Sequence, residues 1–203
     1  MNIAVIGWGS LIWCPGSLRI KTKWRTDGPM LPVEFARISN DGRLTLVIHP
    51  GAAPQHTYWA ISEFEVLKGA RSNLRERESC PSLSAIHYFP LDADSPAIPP
   101  EVRTQLDAWL PKHEDVQAVI WTGLETNWRT KRGREFSPED AIRYLGELET
   151  EHTRAEATYS RAKEYVRNTP PSVQTEVRLQ MQEKGWTDTK LSDSFFEKRG
   201  KEE

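Results

Sequence analysis

Short apolar runs, most of them closed by a Gly, Pro, Asn or Asp turn signal, recur through the first 125 residues, and helical spacing takes over after residue 135. A chain patterned in this way can bury its strands only beneath a small number of helices. Strands are expected at Asn2–Ile6, Val33–Ile38, Leu44–His49, His56–Ala60, Ser84–Phe89 and Val116–Leu124. A central helix should begin at Ser62, where Ser62 and Glu65 have capping-box spacing, and run to Glu78 or Ser79 ahead of Pro81. A short helix is expected at Pro100–Leu110 after the Asp- and Pro-rich connection Leu91–Pro100, and Asn127–Arg134 reads as a basic loop. Ser137-Pro138-Glu139-Asp140 supplies a cap, a first-turn Pro and first-turn acids for a long helix. Pro170-Pro171 stops it, and Ser172–Lys184 makes a last helix ending at Gly185. Strands mixed with one central helix and then succeeded by helices define an α+β chain rather than a doubly wound one.

Charge divides the chain at about the same place. Residues 1–130 hold 13 Lys/Arg and 14 Asp/Glu, and the remaining 73 residues hold 14 and 15. The expected organisation is therefore a globular core over residues 1–125 and a helical extension over residues 126–203 packed on it. A net charge of -2 gives no case for nucleic-acid binding. The mean hydropathy of -0.63 excludes an integral membrane protein, and no apolar run approaches the roughly 18 residues of a spanning helix. Ile3–Ile6 is too short for a signal peptide, so cytoplasm is the default expectation. The two cysteines, Cys14 and Cys80, allow one bridge at most. Eight tryptophans spread along the chain read as core and wall residues.

Helical geometry singles out one carboxylate. At about 100° per residue from Leu67, residues Phe64, Ala70, Leu74 and Glu78 all fall within about 60° of one direction, whereas Glu76 lies at about 180°. Glu78 is thus aimed into the protein, where desolvation raises a carboxyl pKa and suits it to general-base work. Two readings compete with this one: a helix that ends before Glu78, and an ion pair between Glu78 and an arginine. Gly7-Trp8-Gly9-Ser10-Leu11 closes the first strand as a glycine-bracketed loop whose N–H groups suit a carboxylate or oxyanion. It fails as a dinucleotide fingerprint, because Ile12 holds the third glycine position, and Trp13, Cys14 and Pro15 work against a helix start. Ser10 is not in a Gly-x-Ser-x-Gly elbow, and Cys14 reads as a small buried residue rather than a nucleophile. The five histidines show no metal-ligand spacing. Arg129, Lys131, Arg132 and Arg134 read as solvated surface.

Read together, the two segments resemble a known family. Val5-Ile6-Gly7-Trp8-Gly9-Ser10-Leu11-Ile12-Trp13, with Pro15 soon after, is similar to the N-terminal signature of the γ-glutamylcyclotransferase-like superfamily, whose ChaC-type branch carries Phe-Gly-Tyr-Gly-Ser-Leu-Ile-Trp. Leu74-Arg75-Glu76-Arg77-Glu78 matches the family's second signature, Leu-x-x-Arg-Glu, and selects Glu78 as the catalytic residue. The resemblance covers residues 1–125. It departs at Trp8, where the family has a loop Tyr, and at Ser79-Cys80-Pro81, which replaces a Gly-Gly-Tyr. The chain after residue 135 has no counterpart in that branch.

The resemblance implies a mixed β-barrel flanked by helices, with the later helices as an extension. It implies cyclisation of a γ-glutamyl amide or peptide to 5-oxoproline, without metal or cofactor. Glu78 would be the acid and base, and Gly7, Trp8, Gly9, Ser10 and Leu11 would hold the substrate. A non-catalytic ligand-binding protein and a related acyl-transfer or amidohydrolase enzyme remain the alternatives. Ile142, Leu145, Leu148, Ala155, Tyr159, Ala162 and Val166 mark the apolar face of the long helix. That face is expected on the barrel or on a second subunit, as a homodimer, with the region near Tyr159–Tyr165 a candidate pocket wall.

Overall fold

Two strands carry the architecture, and both are apolar along nearly their whole length. In the computed structural model, which describes residues 1–90, 92, 95, 97–150 and 165–186, β1 (Ile3–Gly7) and β6 (Ala118–Thr122) lie side by side and parallel. Both are central in a four-stranded sheet of order β4-β1-β6-β5, where β4 (Tyr58–Ile61) and β5 (Ile86–Phe89) pair antiparallel at the two edges. A central strand covered on both faces has no use for polar alternation, which is why Ile3–Ile6 and Ala118–Trp121 read as continuous apolar runs. Side chains still alternate with a period of two. Ala4, Ile6, Val119 and Trp121 enter one core, and Ile3, Val5, Ala118 and Ile120 enter the other.

The second core is closed by α2 (Leu67–Arg77), through Ala70 and Leu74. The helix starts later than the Ser62–Glu65 spacing predicts, because both capping groups are engaged elsewhere. Ser62 Oγ accepts from the Phe64 N–H at 3.1 Å, and Glu65 pairs with Lys21 at 3.0 Å. Phe64 instead folds back over Gly69, where a Cβ would sit 3.1 Å from its ring. The first core is closed by the hairpin β2 (Val33–Ile38) and β3 (Leu44–Ile48), turning at Ser39–Gly42 as expected, and by the later helices. Among the described residues the hairpin is a separate two-stranded sheet, so the strands make two sheets and not the closed barrel that the resemblance implied. The α+β class holds; the barrel does not.

After α3 (Pro100–Trp109) and β6, the expected basic loop is a short helix, α4 (Trp128–Arg132), pinned by its fully buried Trp128. Two of its three cations are paired rather than merely solvated. Arg132 bonds both carboxylate oxygens of Glu147, at 2.9 and 2.7 Å, and Arg129 pairs with Glu135. Helix α5 (Pro138–Thr150) has the expected Ser137 cap, whose Oγ accepts from the Asp140 N–H at 3.2 Å. Its face is buried within the chain itself, with Leu145 fully covered. Ala155, Tyr159 and Ala162 lie outside the described residues. Helix α6 (Glu176–Glu183) begins four residues later than Ser172, at a Thr175 cap, because the turn after Pro170-Pro171 uses residues to close the Val173 N–H onto the Pro170 carbonyl at 3.0 Å. Val166, Val173, Val177 and Met181 are fully buried in the same core as Val33 and Phe35.

None of the eight tryptophans is exposed. Trp59 and Trp109 donate to Asp27, at 2.7 Å to its carboxylate and 2.6 Å to its carbonyl, and His113 stacks on Trp109 with ring centres 3.9 Å apart. Cys14 and Cys80 are both free thiols, and Cys14 is exposed rather than buried, since it comes after a helix turn that puts Leu11 and Ile12 inside. No helix among the described residues is long and apolar enough to cross a membrane.

Candidate functional site

The parallel strands β1 and β6 deliver their carboxyl ends to the same edge of the sheet, the place where open mixed sheets commonly bind ligands. A cavity of about 330 Å³ opens there. Gly7–Leu11, the end of α2, the β2–β3 hairpin and Tyr165 line it.

Glu78 stands at the C-terminal cap of α2, with φ -82° and ψ -4°. The helix proper ends one residue earlier, at Arg77, but the backbone stays helical and the Glu78 N–H still bonds the Leu74 carbonyl at 3.0 Å. Glu78 therefore keeps its helical facing beyond the end of the helix. Glu76 is exposed, whereas the Glu78 side chain is 19% exposed and lines the cavity. Burial pushes the Glu78 carboxyl above the usual carboxylate range, and the Arg77 guanidinium offsets only part of that.

Arg77 joins the two segments singled out in the sequence. Its Nη1 donates to Glu78 Oε1 at 2.7 Å. Its Nη2 donates to Ser10 Oγ at 3.2 Å and to the Cys14 carbonyl at 2.6 Å, while Nε donates to the Pro15 carbonyl at 3.2 Å. One planar guanidinium thus sets the distance between the carboxylate and the loop. The ion pair that competed with the general-base reading of Glu78 is present, with Arg77, and it coexists with a cavity-facing carboxylate.

The loop is not wholly loop. Ser10–Trp13 makes one helical turn, α1, closed by the Cys14 N–H on the Ser10 carbonyl at 2.9 Å and ended by Pro15. The turn sends Leu11 into one core, while Trp8 fills the other with its indole N–H on the Leu46 carbonyl at 3.3 Å. Both side chains are 6% exposed, so at Trp8 and Leu11 the cavity meets little but the rim of the core.

Gly9 lines the cavity and makes room for a side chain from far along the chain. A Cβ there would lie 2.7 Å from the Tyr165 hydroxyl. Tyr165 comes from the helical residues 165–168, with its ring edge-on to Trp13 at 5.2 Å and Phe35 at 6.1 Å, and its hydroxyl sits over Gly9, beside Ser10. Burial, then the nearby Glu78 carboxylate, raises its pKa, so the phenol stays protonated. A hydroxyl thus arrives at this loop from a residue far along the chain.

Ser79, next to Glu78, is the one non-glycine residue with positive φ among the described residues, at +51°. The Ser79 N–H bonds the Glu76 carbonyl at 3.1 Å and the Cys80 N–H bonds the Arg75 carbonyl at 3.0 Å, the paired closure that usually employs glycine. Cys80 lines the cavity beneath it, and burial, then the Glu78 charge, pushes its thiol up, which disarms it as a nucleophile.

The structure brings Glu78 and Gly7–Leu11 to one cavity. Sequence spacing missed Arg77 as a clamp, and it missed Arg37 and Arg43 on the hairpin wall. Among the described residues no group of three or more His, Cys, Asp or Glu is placed to hold a metal ion. No protein-family model, curated protein or solved structure matches the chain.

Proposed function

We propose that the chain cyclises γ-glutamyl amides or peptides to 5-oxoproline. The observation that carries this reading is a largely buried carboxylate, Glu78, locked by Arg77 to a glycine-bracketed loop at the mouth of the parallel strands. In the reaction the substrate's α-ammonium group loses a proton to Glu78, and the freed amine attacks the γ-carbonyl carbon. A C–N bond forms, closing the five-membered lactam. The original amide C–N bond then breaks as Glu78 gives its proton to the departing nitrogen; Glu78 next takes the second proton from the ring nitrogen and passes it to the released amine, which leaves as an ammonium ion, so no water is consumed. A carboxyl pKa raised by burial suits both halves of this exchange. Loop N–H groups and the Tyr165 hydroxyl supply donors for the developing oxyanion or the α-carboxylate. Curling the flexible γ-glutamyl chain inside a walled cavity contributes through proximity.

The ion pair with Arg77 and the engagement of the Ser10 hydroxyl support a second reading, a binding protein without turnover. Incubating the protein with γ-glutamyl peptides and γ-glutamylamines, and assaying 5-oxoproline, separates the two. Glu78→Gln should lower product formation by about 10²-fold or more, on the scale of a general acid–base group, with the melting temperature nearly unchanged. Glu76→Gln should leave both at the wild-type level. Equal losses from the two substitutions would remove Glu78 from the reaction.

A further inference from the structure

The cavity has more positive charge than the proposed chemistry uses. Among the described residues its charged lining consists of Arg37, Arg43, Arg77 and Glu78. Arg77 is neutralised by Glu78 at 2.7 Å, and Arg43 pairs with Asp41 at 2.8 Å. Arg37 makes no ion pair among the described residues; it donates one hydrogen bond, from Nη1 to the Glu125 carbonyl at 2.6 Å. A guanidinium carries five N–H donors in a fixed fork, so most of this one's capacity is left to face the cavity. A half-buried guanidinium without a counter-ion is costly unless an anion completes it.

The position of Arg37 depends on an irregularity in the hairpin. Glu34 pairs with Val47 and Arg37 pairs with Thr45, three residues on β2 against two on β3. That bulge puts Arg37 on the same face as Thr45 and Val47, both of which line the cavity. Asn127 holds the strand end rigid, accepting from the Ile38 N–H at 2.9 Å and donating to the Ile38 carbonyl at 2.8 Å. Arg43 reaches the cavity from the start of β3, with its guanidinium carbon 5.9 Å from the centre of the Tyr165 ring. The hairpin thus presents a prearranged cationic wall, on a different element from Glu78 and the loop.

We infer that Arg37, with Arg43 beside it, binds a carboxylate on the departing amine, so that the preferred substrates are γ-glutamyl amino acids or peptides with a free carboxylate rather than uncharged γ-glutamylamines. The inference rests on the cyclotransferase reading and refines it. The γ-glutamyl head, folded for ring closure, brings its amine, its α-carboxylate and its reacting carbonyl together at Glu78 and the loop. The part of the substrate that extends to the hairpin is then the leaving amine, and a charge-assisted fork on a carboxylate is the interaction the wall offers.

γ-Glutamylalanine and γ-glutamylethylamine differ by that carboxylate alone. Their kcat/KM values for 5-oxoproline release should differ by about tenfold or more in the wild type, the scale of a charge-assisted hydrogen bond. The ratio should collapse towards one in Arg37→Gln and be partly restored in Arg37→Lys, with melting curves confirming that both variants are folded. Calorimetric titration of the same two compounds into Glu78→Gln protein measures binding without turnover. Cyclisation of both compounds at similar rates, with a ratio indifferent to Arg37, overturns the carboxylate site and leaves the cyclotransferase reading standing. Absence of product from either, with tighter and Arg37-dependent binding of γ-glutamylalanine, supports the site and overturns the reaction. Neither binding nor turnover overturns both.

Discussion

At the scale of single residues, the environment of Glu78 depends on the residues on either side of it. A helix that ends on a carboxylate places that group in the negative end of its own dipole, and Arg75 and Arg77 in the last turn counter this. The chain then leaves through Ser79 in the left-handed region, turning sharply enough for Cys80 and Pro81 to form the cavity wall. A β-carbon in that conformation is strained, and nothing in the bonding of Ser79 requires its side chain. Ser79→Gly should therefore stabilise the protein by about 0.5–1 kcal/mol, less whatever the more flexible unfolded chain takes back. Ser79→Val should destabilise it by at least as much. Urea unfolding of the three proteins tests this, and a neutral Val substitution would show that the turn relaxes.

At the scale of elements, the attachment of α6 is decided by one buried acid. Glu34 on β2 is 3% exposed; its carboxylate accepts from its neighbour Phe35 N–H at 2.7 Å and from the Glu176 N–H, at the start of α6, at 2.9 Å. A carboxylate at a helix N-terminus satisfies donors that the helix cannot satisfy itself. Burial nevertheless raises the Glu34 pKa, with the hydrogen bonds from Thr175, Phe35, Val177 and Glu176 pulling it only partly back. Glu34→Ala should cost about 2–4 kcal/mol by orphaning buried donors. The sign of the pH effect comes from the raised native pKa. Protonation is favoured in the folded state, so the stabilising contribution is full below the unfolded value, near 4.5, and is lost as pH rises through the folded value. Unfolding free energies measured upward from pH 4.5 should show this decline in the wild type and a shallower one in Glu34→Gln; equal slopes would remove Glu34 as its source.

At the scale of the whole molecule, the charge boundary near residue 130 does not separate one core from another. Val166, Val173, Val177 and Met181 are fully buried against the same cluster as Phe35 and Ile6, and Tyr165 completes the cavity. The later helices are therefore part of the core as well as of the site. A chain truncated after Glu135 should aggregate or lose its cooperative melt, because the apolar face around Val33 and Phe35 would be open to water. A soluble, cooperatively melting fragment would contradict this and return the helices to a peripheral layer.

The features legible in the amino-acid order alone lie within a few residues of chain. The continuous apolar runs Ile3–Ile6 and Ala118–Trp121, the Ser137-Pro138 helix start, and the facing of Glu78 against Glu76 all depend on local composition or on local geometry repeated at a known pitch. The late start of α2 was not legible, because the Glu65 side chain is drawn away by Lys21, 44 residues earlier in the chain. The two sheets in place of a barrel, the Arg77 clamp, the Tyr165 hydroxyl at Gly9 and the Glu34 anchor for α6 arise only on packing in three dimensions. Each joins groups far apart in sequence, 67 residues between Ser10 and Arg77 and 142 between Glu34 and Glu176. No local period encodes such pairings; they exist because packing two cores on one sheet leaves particular polar atoms facing one another, and burial then requires them to bond.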